Sequence, residues 1–314
     1  MTRSATLVPA PALIDEIATL LADRVRRTPV VDLRLPGGPS VTLKLELLQH
    51  TGSFKPRGAF ANVLSAPSPP SSLVAASGGN HGLAVAYVAR SLGVPAQIFV
   101  PQSAPAVKVA RLRSLGAQVH QVGSSYAEAY APSAAAASAP GALGVHAYDG
   151  ALTLAGQGTT GREISEQVPD VDTVLVAVGG GGFLGGIASW FGTSRRLVAV
   201  EPEGCATYSS ALAAGAPVEI SPGGLGADSL GASRLGSSAW QAMQAAGVES
   251  LLVDSEAIVA ARELLWRELR IAAEPGGAVA LAAVLAGHYR PAEGERVVVV
   301  VCGANADPSD LPLD

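Results

Sequence analysis

The chain has 314 residues, 48% of them hydrophobic and 15% charged, with a net charge of −5. That length and apolar content suffice for one large core or two ordinary ones, and the acidic balance gives no basic footprint for nucleic acid. Two cysteines, Cys205 and Cys302, argue against a disulfide framework.

In chain order, apolar residues at helical spacing predict an amphipathic helix from Ala12 to Arg26, and Asp15 and Glu16 inside it argue against a secretory signal. An apolar segment, Val41 to Leu48, leads into Ser53-Phe54-Lys55-Pro56-Arg57-Gly58-Ala59 and a helical stretch from Ala59 to Leu64. Pro56 costs little at a helix start, where its missing donor is an orphan anyway. Lys55 is therefore expected in a fixed turn between strand and helix. A lysine held there and partly desolvated has a lowered pKa and forms an imine with a carbonyl; a solvated surface lysine does neither.

Next comes an apolar strand, Leu73 to Ala76, then Ser77-Gly78-Gly79-Asn80-His81-Gly82 and a helical run from Leu83 to Leu92. Small residues at such a junction expose N–H groups that hold an anion, or simply make a Gly-rich turn. Pro67 to Ser72 reads as a surface loop, and Ala131 to Gly144 as a worn helix followed by a loop. Further strands are expected at Gln97 to Val100, Val119 to Val122, Thr173 to Val178, Leu197 to Val200 and Arg296 to Val301. Strands alternating with helices predict an α/β fold with mostly parallel sheets. No apolar run reaches membrane-spanning length, and Leu175 to Ile187 is broken by glycines.

Gly179-Gly180-Gly181-Gly182-Phe183 follows the Thr173 strand and precedes a helix from Leu184 to Phe191. Bare amides at a helix start suit a phosphate. The same stretch satisfies G-x-G-x-x-G through Gly180, Gly182 and Gly185, and Glu201 ends the next strand, so a dinucleotide site fits locally as well. Cys302, ahead of Gly303-Ala304-Asn305, stands at the carboxyl end of the final strand, where doubly wound sheets bind ligands.

Together these four motifs, in this order, resemble pyridoxal-phosphate enzymes of the tryptophan-synthase-β type, and most of all the serine/threonine dehydratase family. Ala155-Gly156-Gln157-Gly158-Thr159-Thr160 and Glu274-Pro275-Gly276-Gly277-Ala278 add to the likeness, which runs from Arg27 to Asp307. The resemblance implies fold type II: two domains, each an open, mostly parallel twisted sheet flanked by helices. Residues 1–47 and 145–314 would form the large cofactor-binding domain, and 48–144 a small inserted domain that closes over the substrate.

By the same resemblance, Lys55 carries pyridoxal 5'-phosphate and moves the Cα proton, and Phe54 packs near the ring. Asn80 meets the phenolic oxygen, Gly179, Gly180, Gly181, Gly182 and Phe183 hold the phosphate end, Cys302 faces the ring nitrogen and Glu274 lies beside the ring. Ser77, Gly78, Gly79, Asn80 and His81 hold the substrate carboxylate. The dinucleotide reading, which leaves Lys55, Asn80 and Cys302 unexplained, becomes the secondary one. The expected reaction is β-elimination from a β-hydroxy amino acid, L-threonine or L-serine first, with 3-hydroxyaspartate, phenylserine and hydroxyectoine-pathway compounds as further substrates.

Gly78 stands where racemases of the family have a serine that acts as second base, which argues against racemisation. The family's metal site pairs a glutamate with an aspartate six residues on; here Glu201 is followed by Thr207, so a cation at Glu201 is an open expectation and no metal is assigned. A small amino-acid substrate, a homodimer, no nucleic-acid or membrane partner and a cytoplasmic location complete the implied picture.

Overall fold

In the computed structural model residues 8–306 are described, so Asp307 lies outside them. After α1 (Pro11–Leu21), β1 (Val30–Arg34) and β2 (Ser40–Lys44) form an antiparallel pair. The chain then builds α2 (Lys55–Leu64), β3 (Ser72–Ala76), α3 (Asn80–Leu92), β4 (Ala96–Val100), α4 (Ala106–Ser114), β5 (Gln118–Gln121), α5 (Tyr126–Ala137) and β6 (Ala142–Gly144). It continues through α6 (Ala151–Gln167), β7 (Thr173–Ala177), α7 (Gly182–Phe191), β8 (Arg196–Pro202), α8 (Thr207–Ala214), α9 (Ala227–Leu230) and α10 (Ser237–Ala245). Last come β9 (Glu249–Val253), α11 (Ser255–Leu269), α12 (Pro275–Leu285) and β10 (Val297–Val300).

The strands make two sheets. One has six strands in the order β1-β2-β10-β7-β8-β9, parallel except for the β1–β2 pair. The other has four parallel strands in the order β5-β4-β3-β6. Helices cover their faces, so the central strands are apolar throughout: every residue of β7 and β10 is buried. The large sheet's core includes Leu175, Val198 and Val299. The small sheet's core gathers Leu73, Ile98 and Leu112, and α1 adds Ile14, Ile17 and Leu21 to it.

The structure moves several expected boundaries. The first helix ends at Leu21, not Arg26, because both backbone groups of Arg26 are engaged elsewhere: its N–H donates to Gln49 Oε1 (2.9 Å) and its carbonyl accepts from Gln49 Nε2 (2.7 Å). The strand in the Val41–Leu48 segment stops at Lys44. Lys55 is not in a turn; it is the first residue of α2, with Pro56 next to it. The Ala131–Gly144 stretch holds the end of α5, which tolerates Pro132, and then a strand, β6, instead of a loop. Three residues suffice for β6 because β3 is already there to pair with: Ser72, Leu73 and Val74 face Ala142, Leu143 and Gly144.

Under α2 lies a buried charge network. Arg57 places all five of its donors: Nε and Nη2 on the two oxygens of Glu46 (2.8 Å each), Nη2 also on Arg26 O (3.3 Å), and Nη1 on Glu163 Oε1 (2.7 Å) and Thr159 Oγ1 (3.1 Å). Lys44 Nζ donates to Thr28 O, Glu163 Oε2 and Gln167 Oε1 at 2.6–2.8 Å. Two cations and two carboxylates are thus buried with their donors filled, tying β2, the start of α2 and α6 together.

Candidate active site

Four helices begin at the cleft between the sheets: α2 at Lys55, α3 at Asn80, α7 at Gly182 and α12 at Pro275. The first amides of each have no carbonyl one turn earlier, and their dipoles add positive potential in the same space, so the cleft favours an anion. Phe54, Lys55, Asn80, the four glycines Gly179, Gly180, Gly181 and Gly182, Phe183, Glu274 and Cys302 all line this one pocket, although they come from opposite ends of the chain.

Lys55 Nζ donates to Ala147 O at 2.7 Å and sits 5.0 Å from the centroid of the Phe54 ring. Burial brings its ammonium down to about pKa 8, against the opposing pull of Cys302 and Glu274. Near neutral pH a useful fraction is therefore the nucleophilic free amine. Phe54 stacks on Phe183, centroids 3.9 Å apart and planes at 10°. The approach to Lys55 is pinned: Thr51 has φ +62°, uncommon for a β-branched residue, and its carbonyl accepts from Asn305 Nδ2 (2.8 Å). Ser53 then bridges Gly303.

Asn80 donates through Nδ2 to Glu274 Oε1 (2.6 Å) and accepts at Oδ1 from Asn305 Nδ2 (2.5 Å), which leaves one Nδ2 hydrogen free. Glu274, 4% exposed, holds its carboxyl pKa up at about 7; burial is the main cause, and the Asn80 donor works against it. Cys302 follows β10, its thiol 3.6 Å from Gly276 O. Burial, reinforced by Glu274, pushes that thiol well above its ordinary range despite Lys55, so it is neutral at physiological pH.

The glycine loop turns its carbonyls away from the cleft. Gly179 O accepts from Thr207 Oγ1 (2.5 Å), Gly180 O from the Gly236 N–H (3.0 Å) and Gly181 O from the Gly185 N–H (2.7 Å). Gly181 has φ +83°, and a Cβ on Gly180 would run into the ring of Tyr148. In the second turn, Ser77 Oγ accepts the Gly79 N–H (3.2 Å), and Gly78 and Gly79 line an outer pocket beside Asn80. The His81 ring points elsewhere: Nε2 donates to Val145 O (2.8 Å), and burial lowers its pKa to about 3, so it stays neutral.

The sequence of residues 21–303 matches the model of the family described as pyridoxal-phosphate dependent enzyme. The chain belongs to the pyridoxal-phosphate dependent enzymes. It is 35% identical over 309 residues to an L-threonine ammonia-lyase of Geobacter sulfurreducens, covering 96% of this chain and 77% of that one. It is 33% identical over 310 residues to a phenylserine dehydratase of Ralstonia pickettii, covering 96% and 95%. Among solved structures, maize serine racemase superposes with a TM-score of 0.89 at 31% identity, covering 96% and 95%. Fold type II and the cofactor class expected from the motifs are those of this enzyme's relatives; the dinucleotide reading of Gly180, Gly182 and Gly185 falls away.

The donor set fits pyridoxal phosphate: an amine for its aldehyde, bare amides at a helix start for its phosphate, a spare Asn80 hydrogen for its phenolic oxygen and a neutral thiol for its ring nitrogen. Glu201 is not at this wall. Its carboxylate accepts the N–H groups of Tyr208 (2.8 Å) and Ser209 (2.9 Å), with Thr207 Oγ1 3.1 Å away, so it serves the start of α8. Among the described residues no group of three or more His, Cys, Asp or Glu is placed to hold a metal ion, and no helix is long and apolar enough to cross a membrane.

Sequence reading missed Tyr148 in the cleft wall and the bracing role of Asn305. Tyr148 carries no motif of its own. Asn305 had a signal, its place three residues after Cys302 in the final motif.

Proposed function

We propose that the enzyme dehydrates and deaminates a β-hydroxy amino acid to a 2-oxo acid and ammonia, with L-threonine and L-serine as the first substrates to test. The observation that carries this reading is the lysine amine brought down to about pKa 8 beside a neutral thiol and a carboxyl near pKa 7. Bound pyridoxal phosphate supplies the electron sink that stabilises charge at the substrate's Cα.

The chain's own residues do the rest. Lys55 anchors the cofactor and takes the Cα proton at Nζ. The amides of residues 179–182 and the start of α7 bind the phosphate. The Ser77–His81 turn offers N–H groups at the start of α3 for the substrate carboxylate, and the stacked Phe54 and Phe183 rings exclude water beside the amine. Asn80, steered by Asn305 and Glu274, keeps one hydrogen for the phenolic oxygen. The neutral Cys302 thiol brings no negative charge to the ring nitrogen, which favours prompt loss of a β-leaving group over reactions that need long-lived charge at Cα.

The parts on either side of the cleft would act as a large domain (1–47 and 145–314) and a small domain (48–144) that closes on substrate. A homodimer in the cytoplasm is the expected setting. The test is 2-oxo acid formation from threonine and serine by the loaded enzyme, beside Lys55→Ala; equal turnover by that variant would overturn the assignment.

A further inference from the structure

Beyond the Asn80–Glu274 wall, the outer pocket continues the cleft and shares Asn80, Ser229 and Glu274 with it. Its remaining walls include Gly78, Gly79 and Leu83 from the small sheet's side, Lys108 and Arg111 from α4, and Asp228 from α9. Among the described residues Leu83 is the only large apolar side chain there, and no aromatic ring lines it. With the substrate's amino group at the cofactor, its Cα–H facing Lys55 and its α-carboxylate at the start of α3, a side chain has this pocket to enter, since the opposite end of the cleft is the phosphate loop.

Apart from Lys55, the only cations among the described residues lining either pocket are Lys108 and Arg111. They lie three residues apart on α4, a spacing that puts them on one helical face. Lys108 Nζ is ion-paired to Asp228 Oδ1, a carboxylate 69% exposed, and has two further donors. The Arg111 side chain has no hydrogen-bond or ion-pair partner among the described residues, so its five donors are available. A carboxylate is thus already seated on one of the two cations, contributed by the chain itself.

We propose that Lys108 and Arg111 form a second carboxylate site, and that the enzyme prefers β-hydroxy amino acids with an acidic side chain, of which 3-hydroxyaspartate is the smallest. This rests on the elimination chemistry above. The substrate's distal carboxylate takes the place of Asp228 on Lys108 and is gripped from the other side by Arg111. The chemistry balances without an oxidant. The Cα–H bond breaks with the proton going to Lys55, and the Cβ–O bond breaks with the hydroxyl taking up that proton and leaving as water, so Lys55 ends as the free amine. The resulting enamine becomes an imine, and one water hydrolyses it to the 2-oxo diacid and ammonia.

Binding tests this separately from turnover. L-Aspartate and L-asparagine are nearly isosteric, and neither has a β-hydroxyl to lose. Titrating each into the loaded enzyme and following the cofactor's absorbance should show aspartate bound about tenfold more tightly at low salt. The preference should shrink in about 0.5 M salt, as it would for a partly exposed ion pair. In the variant carrying both Lys108→Gln and Arg111→Gln the ratio should fall to within about threefold of unity. Equal affinities in the unaltered enzyme, or a preference that survives the double substitution, would overturn the second carboxylate site. In turnover, 3-hydroxyaspartate should exceed threonine in kcat/KM; the reverse order also overturns the proposal. If no β-hydroxy amino acid yields a 2-oxo acid, elimination itself fails, while the aspartate–asparagine ratio still decides the site.

Discussion

Replacing Glu46 by Gln probes the charge network that fixes the start of α2. Glu46 and Arg57 are both completely buried as side chains and meet through two 2.8 Å bonds, with Thr28 Oγ1 on Glu46 Oε1 at 2.5 Å. The four charges, Lys44, Arg57, Glu46 and Glu163, sum to zero. Gln leaves a net positive charge in a dry site. Its amide NH2 must also face a guanidinium N–H or the Thr28 hydroxyl, so one donor loses its acceptor. Breaking a buried pair from one side costs about 3–5 kcal/mol, a large share of the roughly 5–15 kcal/mol that holds a folded protein together. With an m-value of about 3 kcal/mol/M, the urea midpoint should fall by about 1–1.7 M. Circular dichroism against urea reads this directly. A shift under about 0.3 M with m unchanged would refute the reasoning, because it would mean the pair contributes less than about 1 kcal/mol. The cycle completed with Arg57→Gln should show strong coupling, since both substitutions break the same buried pair.

Lys55→Ala should keep the fold and abolish both the covalent cofactor link and 2-oxo acid formation, checked by the cofactor absorbance on the protein after dialysis and by product assay. Gly181→Ala should weaken cofactor affinity by at least about tenfold: φ is +83° there, and the new methyl would lie 2.6 Å from Leu235 Cδ1. Gly78→Ser should cost less than about 0.5 kcal/mol, because a Cβ there meets only Val100 Cγ1 at 3.5 Å; chiral chromatography then asks whether the added hydroxyl lets L- and D-serine interconvert. Glu274 binds its proton more tightly folded (about 7) than unfolded (4.5), so it contributes stability that is complete below pH 4.5 and is lost as pH rises through about 7. Thermal melts of the cofactor-free protein should show that part of the decline absent in Glu274→Gln.

The rhythm of strands and helices was legible because the parallel strands are buried on both faces and read as plain apolar runs, β7 and β10 above all. The strands that escaped notice are the edge and the short ones. β9 and β1 each have at most one buried residue, and β6 has three residues with none buried. Their pairing is decided by partners far away in sequence. The same holds for the site. Lys55, Asn80 and Gly182 stood out because each opens a helix after a strand or turn, a local pattern. Their placement inside the first turn, not ahead of it, was hidden: Pro56 marks a helix start without fixing its first residue, and propensity gives no credit to Asn-His or Gly-Phe as helix starts. Tyr148, Ser229 and Leu230 reach the cleft only through tertiary packing.

The state of the two thiols bears on how the protein meets oxidants and alkylating agents. Thiolate is the reactive form, and both cysteines are kept from it: Cys205 is fully buried with its pKa raised, and Cys302, 5% exposed, is raised further. A thiol at the base of an enzyme cleft would ordinarily be the first casualty of peroxide. Here the burial that keeps Cys302 neutral also makes it chemically inert, so iodoacetamide should label neither cysteine until the chain unfolds. Labelling then becomes a clock for unfolding, with Cys302 reporting the end of β10 and Cys205 the short 3-10 turn (Glu203–Cys205) before α8.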